Sequence, residues 1–188
     1  MAKSATFRPN KLKIIEAIVY LASKRPRIDI FHVCKILFYA ERDHLLRFGR
    51  PILGDAYYAM RDGPVPSFAL DVAKRNSRVM SDELLRIVAQ KLSSDDSDGY
   101  VRLTARDVFD DASFSRTDVE CLDAAIEKYA DMPFLELWRI AHEETEWKKN
   151  FRDGISTPIP YEDFIPTNIP DRDVVIEQLR EHAGATEL

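Results

Sequence analysis

Long apolar runs are absent from this sequence. No stretch approaches the roughly 18 consecutive apolar residues that a membrane-spanning helix needs, and Glu16 interrupts the longest candidate. The opening residues, MAKSATFRPN, also lack the apolar segment of a secretory signal. We therefore expect a cytoplasmic protein with no membrane association.

Cysteine is scarce as well. The two cysteines, Cys34 and Cys121, both fall on the apolar faces of predicted helices. Free cysteine is among the most buried residue types, so we interpret both as free, buried thiols. A disulfide or a thiolate metal site is the alternative that this placement disfavours.

Catalytic and cofactor-binding motifs are missing. The sequence contains no G-x-S-x-G, no phosphate-cradling glycine loop and no H-E-x-x-H. His142, Glu143 and Glu144 are metal ligands by residue type, but neighbouring residues on a helix point about 100° apart and would not converge on one ion. We expect neither a metal nor a cofactor, and a structural hydrogen bond from His142.

Charge is divided unevenly along a chain of ordinary globular composition, 45% hydrophobic and 31% charged. Residues 1–50 contain 11 Lys or Arg against 4 Asp or Glu, whereas residues 51–188 contain 16 against 28. The basic front could meet nucleic acid or an acidic protein, or could consist of solvated helix ends. Because its basic residues flank one helix and form no recognition helix, we do not expect nucleic acid as a partner.

Residues 29–49, DIFHVCKILFYAERDHLLRFG, are predicted to form one long central helix. Asp29 can cap its start, and Gly49 can close its end in the left-handed conformation. Apolar positions recur at helical spacing and extend almost all round the helix. A helix of this kind is normally buried between neighbours, so we expect it to be the core of the domain.

The remaining pattern predicts further helices and little sheet. Residues 56–60 and 100–104 are predicted to be short strands, which could pair as a small antiparallel sheet. The fold class is therefore mainly α (α+β): a compact helical domain around a central buried helix, with a small antiparallel β element. Apolar periodicity and capping residues indicate helices at 11–22, 66–75, 82–92, 116–130, 133–145 and 171–182.

A single domain is expected over residues 1–188, with its core at about 10–165. The acidic segment 93–99 is predicted to be a mobile loop. Residues 154–183 are predicted to form a proline-rich strap followed by the last helix. The apolar face predicted for that helix consists of Val174, Val175, Gln178 and Leu179.

A polar stripe runs along the predicted central helix. Its members lie within roughly 80° of one another on helical spacing: His32, Lys35, Tyr39 and Asp43. They could hold an acid/base pair, because Asp orients His and Lys lowers the pKa of a neighbour. The alternative, favoured by the lack of a recognisable nucleophile, is that a buried helix satisfies its polar side chains against a neighbouring loop.

A protein partner is easier to support. Large apolar and aromatic side chains fall in loops or short elements, where binding hot spots are common. This group of candidate docking residues consists of Tyr57, Tyr58, Phe68, Phe164 and Ile165. Each of them could equally be part of the core.

Two blocks of motif residues stand out. The second block, residues 137–147, contains His142 and Trp147. The first block contains His32 and Lys35, Leu37–Tyr39, Asp43-His44-Leu45, Gly49-Arg50-Pro51, Gly54-Asp55, Tyr58-x-Met60 and Gly63-Pro64-Val65-Pro66-Ser67. At this spacing the chain resembles the Panacea domain, the SocA-like antitoxin family, from about residue 10 to 165.

This resemblance implies a mostly helical domain with a minor β element. It also implies the antitoxin of a bacterial two-gene toxin–antitoxin pair, which neutralises a toxin protein by direct contact. Binding, and not catalysis, is then the expected function, either by steric block or as an adaptor that delivers the toxin to a AAA+ protease. The acidic segment, the strap and the last helix are candidate docking segments. The alternatives are a hydrolase-like enzyme that uses the polar stripe and a DNA-binding regulator.

The motif residues also have a physical interpretation. Gly63 would supply a backbone angle that other residues avoid, and Pro64 and Pro66, on either side of Val65, would stiffen the turn. The polar stripe would face this loop and hydrogen-bond it, so that the motif acts as a structural latch. A surface that contacts the toxin directly is the alternative.

Overall fold

Helices dominate the fold. The structure, a computed structural model, describes residues 4–96 and 99–185. Within them the helices are α1 (Lys11–Lys24), α2 (Ile30–Phe48), α3 (Ser67–Lys74), α4 (Asp82–Lys91), α5 (Arg116–Tyr129), α6 (Phe134–Glu143), α7 (Thr145–Asn150) and α8 (Arg172–Ala185). The strands are β1 (Ile28–Asp29), β2 (Tyr57–Met60), β3 (Gly63–Pro66), β4 (Leu92–Asp95), β5 (Arg102–Ala105) and β6 (Thr157–Ile159), and a 3-10 helix spans Tyr161–Phe164. The predicted α+β class is confirmed.

Helix α2 is the central element, as its sequence predicts. The Asp29 side chain accepts a hydrogen bond from the backbone N–H of His32, and Gly49 closes the helix at φ +70°. The apolar side chains between Val33 and Ala40 are at most 4% exposed. Helix α5 packs against α2 most extensively, and α1, α3, α6 and the 3-10 helix also contact it. Burial on several sides explains why apolar positions of α2 extend around the helix.

The strands pair differently from the sequence prediction. The expected pairing of residues 56–60 with residues 100–104 is wrong, because β2 pairs with β3 and β6, and β5 pairs with β1 and β4. Strands β2 and β3 form a hairpin in which Met60 lies opposite Gly63. The connection consists of Arg61 and Asp62, and so short a connection closes at a smaller entropic cost than a long loop.

Part of the acidic segment 93–99 is strand and not loop. Residues 93–95 belong to β4, which pairs antiparallel with β5. Residues 97 and 98 lie outside the described part of the chain. The edge of β5 supplies the backbone partners that order a stretch whose composition favours a loop.

The proline-rich strap is anchored in the core. Its residues 157–159 form β6 on the edge of β2. Ile159, Phe164 and Ile165 are at most 4% exposed. The strap therefore holds the hairpin in place and does not form a free docking arm.

Helix α8 turns a different face inward from the predicted one. It buries Ile176, Leu179 and Ala183, whereas Val174 and Gln178 are exposed. The buried positions recur at spacings of three and four residues, as on any amphipathic helix. Ile176 and Leu179 lie inside the predicted segment and Ala183 lies just beyond it, so apolar spacing alone did not decide which face of this helix is buried.

Several basic residues of positions 1–50 form ion pairs with acidic residues from the rest of the chain. Lys13 of α1 forms a buried ion pair with Asp118 of α5 at 2.7 Å, and Arg50 approaches the same carboxylate at 2.8 Å. Arg42 of α2 pairs with Glu144 and Glu146 at 2.5 and 2.7 Å. Basic residues of positions 1–50 therefore pair with acidic residues later in the chain. The expectation that the basic residues are solvated helix ends holds for only some of them.

A buried carboxylate fixes the loop that leads from α2 to the hairpin. Glu41 is fully buried and accepts hydrogen bonds from three successive backbone N–H groups, those of Ile52, Leu53 and Gly54, at 2.7–2.9 Å. The hydroxyl of Tyr161 donates to the same carboxylate at 2.9 Å. Burial raises the pKa of Glu41, although these hydrogen bonds oppose the rise. The carboxylate thus takes the place of water for backbone groups that the core has desolvated.

Asp55 performs the same task for the start of α3. Its side chain accepts from the backbone N–H groups of Phe68 and Ala69 at 3.0 Å and from that of Ala56 at 2.8 Å. Burial raises the pKa of Asp55 to about 6, against the effect of these three hydrogen bonds. The first turn of α3 is therefore tied to the residue that precedes β2.

Replacing Glu41 should destabilise the whole domain. Glu41→Ala leaves three buried N–H groups without an acceptor, so we expect the free energy of unfolding to fall by about 3 kcal/mol or more, measured by urea unfolding. The matched control is Glu120→Ala, since Glu120 lies on the surface and pairs only with Arg116 at 3.1 Å. That change should cost less than about 1 kcal/mol. Equal losses in the two variants would contradict the role assigned to Glu41.

Candidate functional site

Lys35 joins the central helix to the β2–β3 hairpin. Its side chain is buried, and its Nζ donates to the carbonyl oxygen of Pro64 at 2.9 Å. The ammonium also lies over the ring of Phe31, 5.0 Å from its centroid. Burial lowers the pKa of Lys35 to about 8. The predicted hydrogen bond between the polar stripe and this loop is therefore present at Lys35.

Gly63 is required at the start of β3 for two separate reasons. Its φ of +99° lies in a region that side chains rarely adopt. A Cβ at this position would lie 3.0 Å from the Nζ of Lys35 and 3.1 Å from the Cβ of Ala141. Pro64 and Val65 follow as buried residues of β3. The hairpin can approach α2 and α6 this closely only because Gly63 has no side chain.

His142 and Trp147 hold the same hairpin from the later block of the chain. The Nε2 of His142 lies 2.8 Å from the carbonyl oxygen of Arg61, and the indole N–H of Trp147 donates to that of Met60 at 2.8 Å. The predicted structural hydrogen bond of His142 is thus present. Lys35, His142 and Trp147 all bond backbone carbonyls of residues 60–64, and together they form what we call the hairpin clamp.

The helix that carries His142 ends sooner than the predicted boundary at residue 145. Helix α6 stops at Glu143, and the extended backbone of Glu144, with ψ 128°, separates it from α7. Glu146 therefore does not lie one helical turn beyond His142. Among the described residues no group of three or more His, Cys, Asp or Glu side chains could hold a metal ion.

His32 contacts a different part of the chain from the one predicted. Its Nδ1 lies 2.7 Å from the Asp29 carboxylate, and its Nε2 lies 2.8 Å from the carbonyl oxygen of Met132. Burial lowers the pKa of His32, but its hydrogen bonds to the acceptor oxygens of Asp29 and Met132 outweigh this effect and raise the pKa above its usual value. Both ring nitrogens face acceptors, an arrangement that suits the protonated imidazolium.

Tyr39 and Asp43 complete the stripe but do not join the site. Tyr39 stacks on Tyr129 of α5, with ring centroids 4.3 Å apart. Asp43 pairs with Arg47 at 3.1 Å and lies 3.4 Å from the thiol of Cys121. Of the four stripe residues, only Lys35 therefore bonds the hairpin. The prediction that all four face one loop is wrong, because neighbours pack on α2 from several directions.

The loop residues proposed for docking are mostly core residues. Tyr57 and Phe68 are 2% and 6% exposed, and Phe164 and Ile165 are each 2% exposed. Only Tyr58 is half-buried. The alternative that these side chains pack inside the domain is therefore the one that fits, and they do not form an exposed patch.

Sequence reasoning did not find Glu41, and it included Asp55 only as a motif residue, without the role that this acid has in positioning the site. Glu41 lies on a helix whose other buried positions are largely apolar, and Asp55 follows a glycine with φ +67°. An acid inside an otherwise apolar helical segment was the available signal for Glu41, since such an acid needs internal donors. Both cysteines are free and buried among the described residues, as predicted.

A cavity of about 440 Å³ opens beside the hairpin clamp. It lies between the start of α2, the β2–β3 hairpin, α3 and the residues that precede β6. Most of its lining is apolar, including Phe31, Met60 and Val65. Its polar lining includes Cys34, Lys35, Arg61, Asp62 and Lys74. No helix in the described ranges is long and apolar enough to cross a membrane.

The comparisons with known proteins place most of these residues in one family region. The family model of the antitoxin SocA-like, Panacea domain matches residues 33–148, well over half of the chain. The matched region contains the hairpin, the hairpin clamp and both buried acids. No curated protein and no solved structure matches the chain significantly.

The need for a glycine at residue 63 can be tested against a glycine in open space. Gly154 also has a positive φ, +73°, but a Cβ there would meet nothing within 4 Å. We expect Gly63→Ala to lower the free energy of unfolding by about 2 kcal/mol more than Gly154→Ala, because only the first variant adds a steric clash to the backbone strain. Urea unfolding of both variants measures the difference. Equal losses would show that the close contacts of residue 63 with Lys35 and Ala141 do not explain the need for glycine there.

Stability should depend on pH through His32. Its raised pKa means that its stabilising contribution is complete below the unfolded value of about 6.5 and is lost as the pH rises through the folded value. The pKa of Asp29 is lowered, against its burial, by hydrogen bonds with His32, so this partner stays ionised in that window.

We therefore expect the free energy of unfolding of the native chain to fall more steeply between about pH 6 and pH 8 than that of His32→Asn. Urea unfolding at several pH values measures the two slopes. The control is Gln178→Ala on the exposed face of α8, which removes no titratable group and should keep the native slope. An unchanged slope in His32→Asn would contradict the assignment.

Proposed function

The chain belongs to the SocA-like antitoxin family of Panacea domains, and from that membership we propose that it is an antitoxin that binds a cognate toxin protein and neutralises it by direct contact. The observation that carries this proposal is the family match over residues 33–148. That region includes the hairpin clamp of Lys35, His142 and Trp147 and also Gly63 of the hairpin that the clamp holds. Binding is the activity, and the chain acts without a catalytic step of its own.

The geometry of the polar stripe supports binding over catalysis. A general acid/base pair needs two groups that converge on one substrate. His32 instead bonds the Asp29 carboxylate and the backbone carbonyl of Met132. Lys35 bonds the hairpin, and Asp43 pairs with Arg47. Their hydrogen-bonding groups are directed at different elements. This divergence disfavours the hydrolase-like alternative.

The pairing of basic residues supports a protein partner over nucleic acid. A DNA-binding surface needs cations that are free to meet phosphates. Lys13 and Arg42 are instead bound to internal carboxylates, and Arg25 and Arg27 pair with Asp131 and Asp95. Much of the basic front is thereby neutralised, which disfavours the regulator alternative.

An exposed apolar face on α6 offers area for a protein partner. Phe134, Leu135 and Trp138 are 45%, 75% and 37% exposed. Phe134 also contacts Phe31 at the wall of the cavity, with ring centroids 4.5 Å apart. Aromatic side chains of this kind are enriched in binding hot spots. Steric block of the toxin through this side of the molecule is the simpler mechanism.

Capture of a toxic partner tests the proposed function. A tagged full-length chain should retain one small protein from its native cell in a stoichiometric complex, identified by mass spectrometry. Expression of that protein alone should stop growth, and co-expression of the chain should restore it. The matched variants are Glu41→Ala, which should lose rescue as the fold fails, and Glu120→Ala, which should keep it. A captured protein that is harmless alone would contradict the proposal, as would rescue without a complex.

Removal of the AAA+ protease separates the two mechanisms. An adaptor requires the protease, so in its absence the toxin should persist and growth should stay arrested. A steric inhibitor should restore growth equally well with and without the protease, and toxin half-life should not depend on it. We expect the second result, because the exposed apolar face on α6 is enough for a steric block, whereas an adaptor needs a second surface for the protease.

A further inference from the structure

Lys35 is a buried cation whose hydrogen-bonding capacity is only partly used. Its side chain is 1% exposed, and no carboxylate of the described residues lies within ion-pair distance. An ammonium group has three N–H donors, and among the described residues the carbonyl oxygen of Pro64 is the one acceptor within hydrogen-bond distance. A buried charge normally has an opposite charge beside it, since desolvation without one is costly.

Lys35 is one of the residues that line the 440 Å³ cavity. Phe31 and Val65 line that cavity, and the Nζ lies over the Phe31 ring and bonds the residue that precedes Val65. Two exposed cations, Arg61 and Lys74, also line it, against one acid, Asp62. This cavity is therefore locally cationic in a chain of net charge −5.

Size and surroundings indicate what the cavity would accept. A volume of this order suits a small ligand or a few side chains of a partner. Its rim continues onto exposed apolar surface, because Ile155 lines it at 65% exposure and Phe31 contacts Phe134 of α6. A free metabolite would not need that adjoining surface, whereas a protein segment would cover it.

We propose that this cavity receives a segment of the toxin in which an apolar side chain lies next to a carboxylate, and that the ammonium group of Lys35 pairs with that carboxylate. The proposal rests on the proposed antitoxin function. The apolar side chain fills the space between Phe31, Met60 and Val65, while Arg61 and Lys74 attract the acidic segment to the rim. The bond from Lys35 to Pro64 is kept, since two N–H donors remain for the incoming carboxylate.

The state of Lys35 without a partner agrees with this role. Burial lowers its pKa to about 8, so the ammonium form is held at a cost that an adjacent carboxylate would relieve. A bond to the Pro64 carbonyl alone could be made by a neutral donor.

Methionine methyl groups provide a direct test with the full-length chain. Met60 lines the cavity, whereas Met80 and Met132 do not and serve as references. The probes are two peptides, acetyl-Ala-Phe-Glu-Ala-amide and its Gln counterpart, titrated into protein that carries 13C-methyl methionine. We expect the Met60 signal to shift with the Glu peptide at a concentration about tenfold lower than with the Gln peptide, the size of one charge-assisted hydrogen bond.

Substitutions of the cavity lysines test whether their charges cause the preference for the Glu peptide over the Gln peptide. Lys35→Gln should abolish the difference between the two peptides. Lys74→Gln, at an exposed site where folding is not at risk, should reduce it several-fold. The matched control is Lys128→Gln, which removes another exposed lysine from the last turn of a helix away from the cavity, and it should leave the difference unchanged.

Two results would overturn the proposal. Equal responses to the Glu and Gln peptides, or none at millimolar concentration, would show that the cavity does not select a carboxylate. A shift of Met60 by hexanoate at the same concentration as by the Glu peptide would assign the cavity to a small carboxylate and not to a protein segment. The proposed function fails on different evidence, the lack of a toxic partner in the capture experiment, so the two failures are distinguishable.

Discussion

The carboxylate of Glu41 accepts hydrogen bonds from three successive N–H groups of residues 52–54, and the path of the chain after α2 depends on that arrangement. The loop it holds ends at Asp55, whose own carboxylate caps α3 and precedes β2. Tyr161 of the strap donates to Glu41 as well. One buried acid on the central helix thus sets where the hairpin begins and where the strap crosses, because backbone groups in a core must find partners within it.

Two parts of the chain that are far apart in sequence then converge on the hairpin. Lys35 reaches it from α2, while His142 and Trp147 reach it from α6 and α7, and all three bond backbone carbonyls. Bonds of this kind fix the position of the hairpin without specifying its side chains. Gly63 is the complementary requirement, since any side chain there would displace Lys35 or Ala141. The bonds of the hairpin clamp and the glycine at residue 63 therefore depend on each other, because the clamp residues can approach the hairpin only where no side chain intervenes.

Local signals predicted the helices well, whereas the pairing of the strands and the contacts of the polar stripe were predicted poorly. Asp29, Gly49 and the capping box at Ser115 act within a few residues of the helix they delimit, so the sequence alone reveals them. The partner of β2 depends on a turn at residues 61–62 and on a strap that arrives a hundred residues later. The prediction that the polar stripe faces one loop was also wrong, because helical spacing gives the direction of a side chain but not the element that it contacts.

The distribution of charge bears on the site as well as on the fold. Exposed cations without a partner are hydrated at little cost, and a buried cation such as Lys13 is stable because Asp118 lies 2.7 Å away. Lys35 has no acid within ion-pair distance among the described residues. Its ammonium group bonds a carbonyl oxygen and lies over a ring face, and Asp62 acts on it only at longer range. The ring face of Phe31 and the carbonyl oxygen of Pro64 stabilise this charge within the fold, but neither carries the full negative charge that normally lies beside a buried cation. The cavity that Lys35 lines is the place where a partner can supply that anion.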